Sequence, residues 1–283
     1  MQFGASIFFT DYSITPAELG VALEERGFDS VWAAEHSHIP VPRRTPAPGG
    51  GELHKRYYDV MDPFVTLTAA AVATKTLKVA TGIALVIQRD TIQTAKLVAS
   101  IDQVSGGRFI FGIGGGWNAE EMADHGTDFK SRFEVMRERV EAMRVIWSRS
   151  KPEYSGRFVG FPPMMTWPKP VQKPGPPVLV GGAFPHGARR AIAYGDGWVP
   201  HARRPAYGDV LGKLPEFAAL AREAGRDPAT LPITVFGVAE DGDLIKRYRD
   251  AGVARLLFNL PPARADEVLP VLDRCATLMR QAR

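Results

Sequence analysis

Short apolar runs alternate with amphipathic stretches along this chain. QFGASIFF (2–9) reads as a strand and ends in the polar pair Thr10-Asp11. Thr15-Pro16-Ala17-Glu18 has the pattern of a capping box with proline at the first helical position, and Leu19, Ala22 and Leu23 give the following helix one apolar face. Gly27 stops that helix, and FDSVWAA (28–34) forms a second buried strand.

The alternation continues. Residues 62–74 are Ala-rich and helical, and LKVATGIALV (77–86) is the third strand. A helix with Leu97, Ile101 and Val104 on one face follows, closed by Gly106-Gly107, and RFIFGIG (108–114) is the fourth strand. Ser131-Arg132-Phe133-Glu134 opens the longest apolar period as a second capping box, carrying Phe133, Met136, Val140, Met143 and Trp147. Residues 150–176, rich in Pro, Gly and aromatics, read as an irregular excursion within one domain. PVLVG (177–181), GWVP (197–200), ITVFG (233–237) and RLLFN (255–259) are four more strands separated by helical patterns. The last helix turns Val268, Leu272, Cys275 and Met279 inward. Pro270 is expected in its first turn, because an interior proline loses a hydrogen bond and clashes with the preceding turn. Eight strands, each followed by a helical segment, predict a single (β/α)8 TIM barrel over residues 1–283, with a doubly wound sheet as the alternative.

Composition narrows the class without changing that picture. Of 283 residues, 45% are hydrophobic and 23% charged, ordinary for a globular chain. Gly (28) and Pro (23) are raised but below a low-complexity level, so their placement carries the information. A single cysteine, Cys275, excludes a disulfide framework and suits a reducing, cytoplasmic setting. The start of the chain lacks a basic segment followed by a long apolar one, and no run of 18 apolar residues occurs, so neither a signal peptide nor a membrane span is expected. The net charge of +4, with no block of like charges, gives no reason to expect nucleic acid as a partner.

In such a barrel the functional groups lie where strands end and the next loops begin. The second strand ends in Glu35-His36-Ser37-His38, the third carries Thr81-Gly82-Ile83, the fourth runs into Gly112-Ile113-Gly114-Gly115-Gly116-Trp117-Asn118, and the fifth into Gly181-Gly182. Two glycine-rich turns directly before helices suit an anion, because amides can approach it and the helix N-terminus is electropositive. Residues 112–118 lack the spacing of a dinucleotide fingerprint, and no acidic residue ends a strand about 20 positions later. A barrel metallohydrolase would use His36-x-His38 with His186 and His201. The last strand, however, ends Asn259-Leu260-Pro261 with no Asp, and no Lys closes the fourth. No metal is therefore expected. His36 is the ionisable residue best suited to handle a proton near neutral pH, with a histidine merely hydrogen-bonded in the barrel mouth as the alternative. His125 reads as loop structure and Cys275 as core.

At these residues the chain resembles the bacterial luciferase-like flavin family, most of all its coenzyme F420-dependent oxidoreductase branch. The resemblance is carried by GFDSVWAAEH (27–36), YYDVMDPFVTLTAAA (57–71), the stretch from Leu77 to Met122, WPKPVQKPGPPVLVGG (167–182) and AIAYGDGW (191–198). It implies a barrel with F420, or alternatively FMN, across the C-terminal mouth. The ring would lie near a non-proline cis peptide at Gly82-Ile83 or Thr81-Gly82. The phosphate-bearing tail would use Gly114, Gly115, Gly116, Asn118, Gly181 and Gly182, and Glu35 and His36 would face the ring. Two departures stand out. Sugar-phosphate dehydrogenases of this family carry a catalytic Glu where this chain has Gly115, and many relatives carry Arg-His-Pro where it has Arg89-Asp90-Thr91.

The reaction implied is hydride transfer between F420 and a small organic substrate, with His36 handling the proton and residues 43–55 as a cover. The alternative is an FMN monooxygenase supplied by a partner flavin reductase and using O2. A flavin-binding barrel without activity is weaker still. A homodimer is the expected assembly.

Overall fold

The computed structural model describes residues 1–282. Eight parallel strands form the barrel: β1 (Gln2–Ile7), β2 (Ser30–Ala33), β3 (Lys78–Thr81), β4 (Phe109–Ile113), β5 (Val178–Gly181), β6 (Gly197–Val199), β7 (Thr234–Phe236) and β8 (Arg255–Asn259). They run in the order β6-β5-β4-β3-β2-β1-β8-β7. Parallel bridges Trp198–Ile233 and His201–Phe236 join the two ends, so the sheet closes on itself. All eight strands fall inside the segments the apolar runs predict.

Alternation along these strands builds two layers. Trp32, Ala80, Ile110, Leu179, Val199 and Leu257 point inward and fill the barrel with Phe236, while their neighbours point outward onto the helices. The indole of Trp32 needs space that only glycine leaves. A Cβ at Gly112 would lie 3.2 Å from Trp32 Cζ3 and 2.1 Å from the Thr81 carbonyl oxygen. Trp32 Nε1–H donates to Ser30 Oγ at 2.9 Å, which satisfies its only polar atom inside the barrel.

Helices α1 (Pro16–Glu25), α2 (Arg56–Asp59), α3 (Pro63–Ala73), α4 (Thr91–Val104), α5 (Ala119–Asp124), α6 (Arg132–Ser148), α7 (His186–Tyr194), α8 (Leu214–Glu223), α9 (Gly242–Asp250) and α10 (Ala265–Ala282) surround the strands. Thr15 caps α1 as predicted, accepting from the Glu18 amide at 3.3 Å. The second capping box does not form. Ser131 already has helical backbone angles and its hydroxyl donates to the Asp128 carbonyl, so a preceding turn takes over the cap.

Three further expectations change. The third strand stops at Thr81, short of the predicted Val86, and the Gly82-Ile83 peptide that follows it is cis. On α4 Leu97 and Val104 face solvent. Ala95, Val98 and Ile101 face inward beside buried Asp102, which accepts from the Gln172 amide and side chain and so ties the 150–176 excursion to the helix. Pro270 sits at the sixth residue of α10, beyond the first turn, because that helix begins at Ala265. Val268, Leu272, Cys275 and Met279 do point inward. Among the described residues no helix is long and apolar enough to cross a membrane.

Candidate active site

The C-terminal ends of the strands enclose a cavity of about 730 Å3. Glu35, His36, Gly82, Ile83, Gly114, Gly115, Gly116, Gly181 and Gly182 all line it. Thr81 and Asn118 do not. Thr81 is fully buried and its hydroxyl donates to the Gly112 carbonyl at 2.7 Å. Asn118 caps α5, accepting from the Glu121 amide at 3.3 Å.

The glycines give the cavity its floor. The cis peptide lies at Gly82-Ile83, the first of the two bonds the resemblance points to. A Cβ at Gly82 would stand 2.7 Å from Phe236 Cζ, and one at Gly114 would stand 2.6 Å from Ile83 Cδ1. Gly116 has φ of +63°, a left-handed conformation that side chains other than glycine's rarely adopt.

His36 projects from the end of β2 with its tautomer set by two neighbours. Trp117 Nε1–H, which can only donate, points at His36 Nε2 at 3.2 Å. Nε2 is therefore the unprotonated nitrogen, and Nδ1–H donates to Glu121 Oε2 at 2.7 Å. Tyr57 and Trp117 pack edge-on against the imidazole. Burial works against the Glu121 charge, but the hydrogen bonds from His36 and the Ser37 amide outweigh it and hold the carboxyl below its usual range.

Glu35 has a different setting from its neighbour. Its Oε2 accepts from the Leu85 amide at 2.6 Å and its Oε1 from Arg89 Nε at 2.5 Å, and Arg89 also pairs with Asp62. Burial pushes the Glu35 carboxyl up and the Arg89 charge pulls it back. Both oxygens thus brace the segment after the cis peptide, so Glu35 fixes the shape of the cavity floor. Asp62 in turn caps α3 by accepting from the Phe64 and Val65 amides.

Arg190 on α7 lies between the two glycine turns. Its guanidinium stacks over Phe133 at 3.7 Å, and Phe133 packs on Gly115, while its Nη2 would be 3.2 Å from a Cβ at Gly182. Arg132 stacks on the same ring at 4.1 Å. Among the described residues neither guanidinium has an ion-pair partner, and the buried Nε of each has no hydrogen-bond partner. Burial pushes both pKa values down, the charge of Arg190 adding to the effect at Arg132. The Arg190 guanidinium, beside turns with φ of +63° at Gly116 and +146° at Gly182, is chemically suited to an anion. The chain alone did not mark Arg132, Arg190 or Glu121. Each lies on a helix, one or more turns from the glycine signal that located the turns.

Of the other candidate histidines, His186 and His201 line the cavity with His36, and His38 does not. His38 Nε2 pairs with Asp124 at 2.9 Å outside the cavity, so the His36-x-His38 pair does not converge. His201 lines the cavity, where burial and the nearby Arg204, Arg203 and Arg56 push it down to about 4. The 43–55 segment is tied to α5. The Arg44 and Thr45 amides donate to Glu120 Oε1 at 3.0 and 3.2 Å, and the Thr45 hydroxyl to Oε2 at 2.6 Å. That hydroxyl, with the two amides, holds Glu120 at about 2. Arg43 from this segment stacks over Trp117 at 5.6 Å, which brings the cover against the indole that touches His36.

Comparison with known proteins places this geometry in a family. Residues 15–268 match the luciferase-like monooxygenase family. An uncharacterised protein of Mycobacterium tuberculosis strain H37Rv is 37% identical over 281 residues, covering 98% of each chain. The F420-dependent hydroxymycolic acid dehydrogenase of the same strain is 29% identical over 248 residues, 86% of this chain and 63% of that protein. A monooxygenase from Streptomyces bottropensis, 20% identical, superposes with a TM-score of 0.77 over 99% of both chains and shares the fold. With a family match over residues 15–268, an eight-stranded barrel and a cavity at the strand ends, this chain belongs to the luciferase-like monooxygenase family and is one of its oxidoreductases.

Proposed function

We propose that the protein binds coenzyme F420 across the C-terminal mouth and moves a hydride between it and a small organic substrate. The carrying observation is that one cavity holds both a tautomer-fixed imidazole, His36, and a cation, Arg190, that has no ion-pair partner among the described residues and lies between two glycine turns. When bound, the deazaflavin supplies the carbon that gives or takes the hydride, and the protein supplies position and electrostatics. Arg190 would hold the phosphate, with Arg132 adding charge through the shared Phe133 ring. Gly82 and Ile83 would carry the ring, and Glu35 braces them through Leu85. His36 Nε2 is the atom that accepts or returns the proton once Trp117 releases it, and Glu121 keeps the imidazole oriented. The 43–55 segment, anchored at Glu120, excludes water from above Trp117.

Titration of the purified protein with oxidised F420 and with FMN, followed by fluorescence, tests the reading. F420 is expected to bind at least tenfold more tightly. Tight binding of neither would overturn it. Replacing His36 with Ala should abolish turnover and spare cofactor binding.

A second reading, an FMN monooxygenase fed by a partner reductase and using O2, is supported by the Arg190 site, which suits a flavin monophosphate as well as the F420 phosphate. Tighter binding of FMN in the same titration would select it. The buried free thiol of Cys275 suits a reducing cytoplasm. Val65 and Val72 on α3 and Leu97 and Val104 on α4 are exposed at matching seven-residue spacing, and this face would meet a second copy in a homodimer. Sedimentation of a Val65→Asp, Val72→Asp variant as a monomer beside a dimeric parent would support it.

A further inference from the structure

Beyond His36, a second set of ionisable groups runs outward to solvent, and none of them lines the cavity. Glu121 takes the Nδ1–H of His36 on one oxygen, and its other oxygen accepts from the Ser37 amide at 3.0 Å. Ser37 Oγ is 3.4 Å from that same Oε1, 2.7 Å from His125 Nε2 and 2.9 Å from His38 Nδ1. The side chains of His36 and Glu121 are 6% and 1% exposed, whereas those of His38 and Asp124 are 40% and 58% exposed. His125 is exposed as well. The chain of contacts therefore begins in the buried interior and ends in water.

We propose that Glu121, Ser37 and His125 form a proton path joining the buried imidazole of His36 to solvent without opening the cavity. A proton taken up at His36 Nε2 is matched by release of Nδ1–H to Glu121 Oε2. The carboxyl turns and presents that proton to Ser37 Oγ, and Ser37 passes its own hydroxyl proton to His125 Nε2. His125 then gives its Nδ1 proton to water. One proton enters and one leaves, no electrons move, and the reverse sequence returns a proton to the cavity. The path depends on the proposed hydride transfer only for what the proton is used for.

Two features favour His125 as the outlet. His38 has both ring nitrogens engaged, one by Ser37 and one by Asp124, whereas His125 Nδ1 has no hydrogen-bond partner in the described residues. Burial and the neighbouring charge of His38 hold the His125 pKa down, opposed by Glu121 and Asp124, with Arg89 adding to the lowering. A neutral His125 is ready to accept.

The test uses the 15N-histidine-labelled protein without cofactor. NMR measures the exchange lifetime of the His36 Nδ1 proton with water in the parent, Ser37→Ala and His125→Phe forms. Ser37→Ala removes the hydroxyl and keeps the amide bond to Glu121, and His125→Phe alters an exposed ring. The lifetime is expected to lengthen at least tenfold in both, with the His36 nitrogen shifts unchanged. Lifetimes within twofold of the parent in either variant would overturn the path. F420 titration of the same samples is read separately, so a failure of cofactor binding counts against the proposed function and leaves the exchange result to decide the path.

Discussion

His36 Nδ1 stands 2.7 Å from Glu121 Oε2, and the two side chains, 85 residues apart in sequence, are both buried. This pair joins the segment after β2 to α5 and leaves Nε2 as the ring atom that would serve the proposed reaction. A carboxylate in this place orients the ring through Nδ1–H and stabilises the positive charge that builds on the imidazole when Nε2 takes up a proton, before Nδ1 passes its own proton on. Glu121→Gln keeps the shape and removes the charge. Turnover is expected to fall about 10–100-fold, part of what a positioned acid–base group supplies, with cofactor affinity changed by less than about threefold. Steady-state kinetics and cofactor titration on the same variant check both halves. A merely structural Glu121 would move the two together, and it would leave the pH profile of turnover unshifted.

Gly115 answers the question raised by the missing catalytic glutamate. A Cβ there would meet Phe133 at 2.4 Å from Cε1 and 2.9 Å from Cδ1, and Phe133 is held by Arg190 and Arg132 stacked on it. Gly115→Ala is expected to cost about 1–3 kcal/mol from overpacking. That corresponds to a Tm lower by several degrees for a chain of this size. Combining it with Phe133→Ala should cost less than the sum of the two single changes by at least about 0.5 kcal/mol, since the added methyl then has space. Additive losses in thermal unfolding would show that the ring is not what excludes a side chain at this position.

The barrel was legible because its strands are buried on both faces and read as short apolar runs such as VWAA (31–34) and FIFGIG (109–114). The glycine turns were legible because glycine at a strand end has few other uses. What the pattern missed depends on choices made in three dimensions. Leu97 and Val104 share a helical face with Ile101, but the neighbouring face carries small Ala95 and Ala99 with Asp102, and packing with the excursion selects that one. Ser131 has the letters of a cap, yet Asp128 three residues earlier starts the turn first. Arg190 and Glu121 reach the site from helices, and nothing local in the chain says that a helical arginine will lie without an ion-pair partner over an aromatic ring. Glu35 and His36 are adjacent in sequence, but both Glu35 oxygens are engaged by Leu85 and Arg89, whereas His36 lines the cavity with Nε2 met by Trp117.

Glu24 gives the fold a pH-dependent clasp far from the cavity. Its carboxylate accepts from the amides of Lys75, Thr76 and Leu77 and so ties α1 to the turn before β3. Burial is the largest single influence and opposes the charge, but the hydrogen bonds together outweigh it and hold the pKa at about 2 against a usual 4.5. Because the folded value is the lower one, the stabilisation is fully present above pH 4.5 and is lost as pH falls from there towards 2. The site is largely exposed, so screening reduces its worth to about 1 kcal/mol. Glu24→Gln should therefore unfold more easily than the parent at pH 7 and show a smaller loss of stability between pH 5 and pH 3. Parallel denaturation curves across that range would contradict the clasp.

Under the proposed function, Arg190 would serve phosphate recognition and not ring recognition. It lines the cavity, and Arg132 does not, so the two should differ in effect although they share Phe133. A charge-assisted hydrogen bond to phosphate contributes about 1.5–3 kcal/mol. Arg190→Ala is therefore expected to raise the Kd of F420, or of FMN, by about 10–100-fold, and Arg132→Ala by less. Riboflavin carries the ring without the phosphate, so its weaker binding should be the same in the parent and in Arg190→Ala. Isothermal titration with FMN and riboflavin side by side makes the comparison. Equal losses for the two ligands would place Arg190 against the ring instead of the phosphate, and the anion site would have to lie elsewhere in the mouth.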